Sequence, residues 1–282
     1  MTLGAAAFEQ VQKLVYARAA IVLDPGKEYL VESRLAPIAR ARGFRDVDEL
    51  CARLEHRDAA LIEEVVEAMT TNETSFFRDH HPFEALRRTV LPELIGQRQH
   101  TRTLRVWCAA CSTGQEPYSL AMLLDEHFPA LSTWNVSIRA TDIAKSVLDR
   151  AKSGRYRQIE VNRGLSARAL VRYFLRDGLE WEIRPEIKRR VQFEEMNLIG
   201  TWPRREPFDL VFLRNVLIYF DQMTRVALLH KTREVLRGDG YLLLGGSETT
   251  PYDMRSFERV EIARAGVYRA CQVPGRGGND AR

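Results

Sequence analysis

Leu104-Arg105-Val106-Trp107-Cys108-Ala109-Ala110-Cys111-Ser112-Thr113-Gly114-Gln115-Glu116-Pro117, positions 104–117, decides how this chain folds. Leu104 to Cys108 is a short apolar run of strand length. Small residues follow, and Glu116 opens an apolar run to Phe128 that reads as a helix. Strand, small-residue turn and helix together form one βα unit, and the chain repeats the unit downstream.

Val136–Ala140 predicts a second strand and Ala144–Ser153 a second helix. Val191–Phe193, Phe208–Leu213 and Tyr241–Leu244 predict further strands, with a helix over Gln222–Leu236. Val260–Ile262 and Val267–Arg269 predict a closing hairpin. Strands alternating with helices imply an α/β fold with a doubly wound, mostly parallel sheet. The stretch from about 156 to 190 breaks the alternation and reads as an insertion. Upstream, Phe8, Val11, Leu14 and Val15, then Leu61, Val65, Val66 and Met69, recur at helical spacing. Residues 1–70 therefore predict a small all-helical domain, 71–82 a connector, 83–271 the α/β domain and 272–282 a disordered tail. The connector is too polar for a core helix, yet Phe76 and Phe77 make it too aromatic for a simple linker.

A chain of 282 residues fits one or two domains. No run of 18 apolar residues exists to cross a membrane. The start lacks a basic segment followed by a long apolar one, so a cytoplasmic protein is expected. Four scattered cysteines fit a reducing compartment. Net charge is +4, and the basic residues are mostly arginine, with lysine only at positions 13, 27, 145, 152, 188 and 231. That excess is too diffuse for a nucleic-acid binder. A monomer is expected.

In such sheets ligands bind beyond the carboxyl ends of the strands. The loop after the first strand holds only Gly114 and lacks G-x-G-x-x-G spacing, so phosphate cradling is poorly supported. Two acids redirect the reading. Asp142, ending the second strand, can accept two hydrogen bonds from a ribose diol and repels phosphate; Glu116 opens the first helix. The pair favours an uncharged or cationic nucleoside, and S-adenosylmethionine fits. The plainer alternative for Asp142 is a helix cap. Cys108 and Cys111 form a C-x-x-C pair, but Ser112-Thr113-Gly114 delays the helix that a redox motif needs. Adjacent His80 and His81 cannot share a helical face, so no metal is expected. Beyond the strand at 208–213, Arg214, Asn215 and Tyr219 are the available polar groups, unless Tyr219 simply packs in the core. On the helix over 30–45, Arg34, Arg40, Arg42 and Arg45 form either a solvated face or a docking surface for an acidic partner.

Thr70-Thr71-Asn72-Glu73-Thr74-Ser75-Phe76-Phe77-Arg78, Cys111 to Ser119, Ala140-Thr141-Asp142-Ile143, Met196-Asn197-Leu198 and Arg214 to Phe220 together resemble the bacterial chemotaxis receptor methyltransferases of the CheR type. The resemblance covers roughly residues 8 to 270. It implies a helical domain joined to an S-adenosylmethionine-binding domain of the class I methyltransferase fold, with a small antiparallel insertion. It implies methylation of chemoreceptor glutamates to methyl esters, with S-adenosylhomocysteine as product. The family's cofactor contacts fall on Asn72, Thr74, Arg78, Glu116, Asp142, Asn197, Leu198, Arg214 and Asn215. Its active-site tyrosine falls on Tyr219, and an implicated arginine is matched to Arg98. Receptor methylation helices are the expected partners of Arg34, Arg40, Arg42 and Arg45, without membrane insertion. Around Leu175-Arg176-Asp177-Gly178-Leu179-Glu180-Trp181 the loop is shorter than in members that bind a receptor tail peptide, so no dependence on that peptide is expected. Other protein or RNA methylation, or a non-catalytic module responding to S-adenosylmethionine, are the competing readings.

Overall fold

The computed structural model describes residues 3–262 and 265–271. Four helices come first: α1 (Ala5–Ala19), α2 (Glu28–Ala41), α3 (Val47–Leu54) and α4 (Ala59–Met69). Asp46 and Asp58 cap α3 and α4 by accepting backbone N–H groups of the first turn. Val11, Val15, Leu35, Leu50 and Val65 form a core separate from that of the sheet. After the connector, α5 (His81–Ala85) and α6 (Leu91–Gln97) are joined by a π turn over Leu86–Val90. Pro92 accounts for the turn. It has no N–H for the Arg88 carbonyl, and the Leu91 N–H bonds five residues back, to Leu86.

The α/β domain runs β1 (Thr103–Ala109), α7 (Gln115–His127), β2 (Asn135–Asp142) and α8 (Lys145–Ser153). An insertion follows: β3 (Arg155–Arg157), α9 (Gln158–Asn162), α10 (Ala167–Tyr173), β4 (Phe174–Asp177), β5 (Glu180–Ile183) and α11 (Pro185–Lys188). The chain then returns as β6 (Val191–Glu195), β7 (Phe208–Leu213), α12 (Gln222–Val235), β8 (Leu236–Leu244), β9 (Phe257–Arg259) and β10 (Gly266–Ala270). Seven strands make the main sheet in the order β6-β2-β1-β7-β8-β10-β9, and β3-β5-β4 form the small antiparallel sheet. The first five strands of the main sheet are parallel, and β10 runs antiparallel to both β8 and β9.

Alternation along the central strands explains the layers. Val106, Cys108, Leu210 and Phe212 face one core, shared with Tyr118 and Leu120 of α7. Trp107, Ala109, Val211 and Leu213 face the other, shared with Leu228 and Leu229 of α12. Every residue of β7 is buried, as a strand covered on both faces requires. Sequence order reverses at β1, whose neighbours are β2 on one side and β7 on the other, so the switch point lies at their carboxyl ends.

The closing hairpin differs from expectation. Its first arm is Phe257–Arg259, and Val260–Ile262 belongs to the connection instead. Both stretches mix apolar and charged residues, and pairing with β10 selects Phe257–Arg259. The tail at 272–282 lies outside the described residues.

Candidate functional site

A cavity of about 860 Å³, open at its mouth, lies at the carboxyl ends of β1, β2 and β7. The connector contributes Asn72, Thr74 and Arg78; the loop and helix after β1 contribute Ser112 and Glu116. Asp142 and Ile143 enter from β2, Asn197 and Leu198 from the exit of β6, and Arg214, Asn215 and Tyr219 from the exit of β7. Ala19 and Ile21 of the helical domain complete the wall. Sequence reading missed these last two, because no local pattern reports a contact between domains.

The loop after β1 turns through left-handed residues, Ala110 at φ 56° and Ser112 at φ 50°. Gly114 is the one position there with no room for a side chain. Its φ is 90°, and a Cβ would lie 2.9 Å from that of Ala151. Asp142 holds this loop: its carboxylate accepts the N–H of Ser112 (2.8 Å) and of Ala144 (3.0 Å). The capping alternative is thus partly right, since the second bond orders the turn before α8. Both oxygens keep further acceptor capacity toward the cavity they line. Burial pushes Asp142 above its ordinary pKa of 3.8, although the backbone N–H groups pull it down.

Glu116 and Arg214 form a buried ion pair of 2.7 Å. Arg214 also binds Asp79 (2.8 Å) and the carbonyl of Arg78 (3.1 Å). It therefore ties the connector to the start of α7. Burial raises Glu116 against the pull of Arg214. Two phenylalanines explain why the connector is aromatic. Phe76 is fully buried edge-on to Tyr156 and Phe174, and Phe77 meets Phe83. The Ser112 hydroxyl donates to the Asn72 carbonyl at 2.8 Å, which fixes the connector against the loop. Asn197 faces both ways, donating to the Arg18 carbonyl of the helical domain while lining the cavity.

Several expectations need correction. Arg98 lies at the other end of the sheet, beyond α6, where Asp209 (2.6 Å) and Asp239 (2.5 Å) bind it. Asp209 is the second residue of β7, and the cavity is at that strand's far end, so Arg98 cannot meet a ligand there. Arg34 is not a free docking charge. Its guanidinium donates to the carbonyls of Met69 (2.8 Å) and Thr70 (2.9 Å) and to the Thr71 hydroxyl (3.0 Å), clamping the connector. Arg42 is held by Glu64 and Asp58. Arg40, Arg42 and Arg45 are all exposed, and Arg40 and Arg45 are the two not held by a bidentate acidic partner. Cys108 and Cys111 are free, buried thiols. Burial raises both well above the ordinary thiol range, which opposes thiolate chemistry, in keeping with the redox motif already disfavoured by the delayed helix. Among the described residues no cluster suited to a metal ion occurs, and no helix is long and apolar enough to cross a membrane.

The donor set fits S-adenosylmethionine. An acid ends β2, the loop beside it has no phosphate-binding glycine pattern, and the cavity walls carry Glu73, Glu116 and Asp142 against Arg78 and Arg214. A phosphate would meet repulsion there, whereas a ribose diol and a cationic sulfur would not.

Comparison with known proteins agrees. A family model described as the CheR methyltransferase all-alpha domain matches residues 6–70, and one described as the CheR methyltransferase SAM binding domain matches 72–266. Chemotaxis protein methyltransferase 1 of Pseudomonas aeruginosa is 41% identical over 275 residues, covering 96% of this chain and 100% of the relative. Chemotaxis protein methyltransferase Cher2 of Pseudomonas putida is 38% identical over 275 residues, again covering 96% of this chain and 100% of the relative. The chemotaxis protein methyltransferase of Salmonella typhimurium is 38% identical over 265 residues, 91% of this chain and 88% of the relative. With both domains matched in order and the cofactor's chemistry met by the cavity, the chain belongs to the CheR methyltransferase family.

Proposed function

We propose that this protein methylates glutamate side chains of chemoreceptors in the cytosol, forming methyl esters from S-adenosylmethionine. One observation carries the reading. Tyr219 is half-buried, makes no side-chain hydrogen bond among the described residues, and shares a cavity with Asp142, Glu116 and Arg78. A phenol left free beside a nucleoside-type site is available to the reacting groups.

S-adenosylmethionine, when bound, supplies a methyl group already activated by its sulfonium. Glutamate is ionised at pH 7, so no residue needs to remove a proton. The protein's task is alignment and exclusion of water. Asp142 accepts the ribose hydroxyls. Arg214 is committed to Glu116 and Asp79, so Arg78 is the lining arginine left to hold the acceptor carboxylate. Tyr219 donates a hydrogen bond that orients the acceptor or the methyl donor. Ala19 and Ile21 close the wall against water.

Arg40 and Arg45 supply the charge that meets acidic receptor helices. Only Gly178 and Leu179 join β4 to β5, which leaves a short free edge on the insertion. The enzyme therefore docks on methylation helices directly, as a monomer, without a receptor tail peptide. Titrating that peptide by calorimetry tests this part; tight saturable binding would refute it.

The central test uses labelled S-adenosylmethionine and chemoreceptor membranes. Receptor label released by mild alkali as volatile methanol is the expected result. Label that survives alkali would mean N-methylation and would overturn the ester assignment.

A further inference from the structure

Glu248 stands in Gly245-Gly246-Ser247-Glu248, the loop that leaves β8. It is only 5% exposed and forms no salt bridge among the described residues. Its carboxylate accepts three backbone N–H groups instead: Gly245 at 2.7 Å, Asn215 at 2.7 Å and Ile218 at 3.3 Å. Two of these belong to the loop that leaves β7 and ends in Tyr219.

A buried carboxylate without a cation is costly unless hydrogen bonds satisfy it. Here those bonds grip the backbone of the loop between the buried Arg214 ion pair and the core residues Leu217 and Phe220. Asn215 sits at φ 57°, a conformation that non-glycine residues seldom adopt, and its N–H is among the two most tightly held. Leu217 and Phe220 pack into the core on either side, whereas Ile218 is 44% exposed, so at Ile218 the hold comes from its N–H and not its side chain. Space for the grip comes from Gly245. A Cβ there would lie 2.7 Å from a Glu248 oxygen and 2.9 Å from the Asn215 nitrogen. Beyond Glu248, the segment's tie to another domain is the Val22 N–H on the Tyr219 carbonyl (2.9 Å).

We propose that Glu248 is a positioning residue for methyl transfer: by fixing the backbone at Asn215 and Ile218, it aims the Tyr219 hydroxyl into the cavity. It does not line that cavity and touches no reacting atom. The proposal rests on the reading of Tyr219 given above.

Glu248→Gln, Tyr219→Phe and the double variant test it in the full-length protein. Glu248→Gln keeps the shape but turns one acceptor into a donor facing an N–H. Turnover at saturating receptor and cofactor is expected to fall roughly ten- to a hundred-fold, as small misplacements can cost. Calorimetric affinity for S-adenosylhomocysteine should stay within about three-fold, separating orientation from binding. In the Tyr219→Phe background most of the Glu248→Gln effect should vanish, because the two residues act through one group. Fold-losses that multiply in the double variant, or wild-type turnover in Glu248→Gln, would overturn the proposal. Wild-type turnover in Tyr219→Phe alone would instead remove the tyrosine reading. Should Glu248→Gln fail to fold, amide exchange in the wild-type protein decides. Asn215 and Ile218 protected like β7 support the grip; exchange at loop rates refutes it.

Discussion

Asp142, the carboxylate we propose for the ribose, is buried, and burial disfavours its charge, so its native pKa lies above the ordinary 3.8. Between those two values the native state holds a proton that the unfolded chain has lost. Its contribution to stability therefore falls as pH rises through that window. Ligand binding runs the other way, since the ribose diol needs the ionised form. Affinity for S-adenosylhomocysteine should weaken as pH drops through the raised pKa. Asp142→Asn should cost about 1–3 kcal/mol of binding and erase that pH dependence; calorimetry across a pH series measures both. Arg98 poses the opposite case. Its partner Asp209 is fully buried, so Arg98→Met should cost about 3 kcal/mol of stability. Arg237 and the Arg105 N–H still satisfy Asp209 in part. Turnover per folded molecule should be unchanged; a large loss would restore Arg98 to catalysis. Motif matching placed Arg78 at the cofactor but gave the second arginine to Arg98 with no means to test its place. Arg78 lies in the connector and Arg98 past α6, and only the direction of β7 shows that they stand at opposite ends of the sheet.

At the scale of elements, the connector and the insertion hold each other. Gly164 has φ 101°, and a Cβ there would lie 1.8 Å from the Phe76 carbonyl oxygen. Gly178, with φ 60°, has nothing within 4 Å. Both glycines would pay for left-handed geometry on substitution by alanine, about 1 kcal/mol for the open site. Gly164→Ala adds overpacking, for roughly 2–5 kcal/mol in total. Denaturant midpoints should separate the two; equal shifts would mean the insertion yields freely. The four arginines divide by task and by place: Arg34 and Arg40 lie on α2, whereas Arg42 caps its end and Arg45 follows in the turn, so the helix expected over 30–45 stops at Ala41. Reversing Arg40 and Arg45 to glutamate should raise the apparent KM for receptor and leave cofactor affinity alone. Arg34→Ala should weaken cofactor binding, because it frees the connector that carries Asn72 and Thr74. Periodicity placed all four on one helix and could do no more, since what Arg34 grips lies 34 to 37 residues away. The strands of the parallel sheet were legible for the converse reason: burial on both faces writes a continuous apolar run such as Phe208–Leu213. The arm at Phe257–Arg259 sits at the sheet edge, where half-exposed residues leave no such mark.

The whole molecule is closed by contacts between its two domains. Tyr16 donates to Asp221 (2.6 Å), and Glu67 accepts the N–H groups of Lys145 and Ser146 at the start of α8. Removing residues 1–69 should therefore weaken S-adenosylhomocysteine binding even if the α/β domain folds. A fragment with undiminished affinity would show that the helical domain contributes no wall. The two-domain layout could be read from the change of pattern near residue 70. The shared wall could not, because Ala19 and Ile21 are ordinary apolar residues until the fold sets them beside Asn197. The Val22 N–H that meets the Tyr219 carbonyl matters here for protein engineering. A chimera that borrows a foreign helical domain to redirect the enzyme to another receptor would naturally be spliced near residue 70. Such a splice would also replace the backbone that steadies the far end of the tyrosine loop. Retargeting by graft must therefore keep the native 19–23 segment, and exchange the helix faces around it instead.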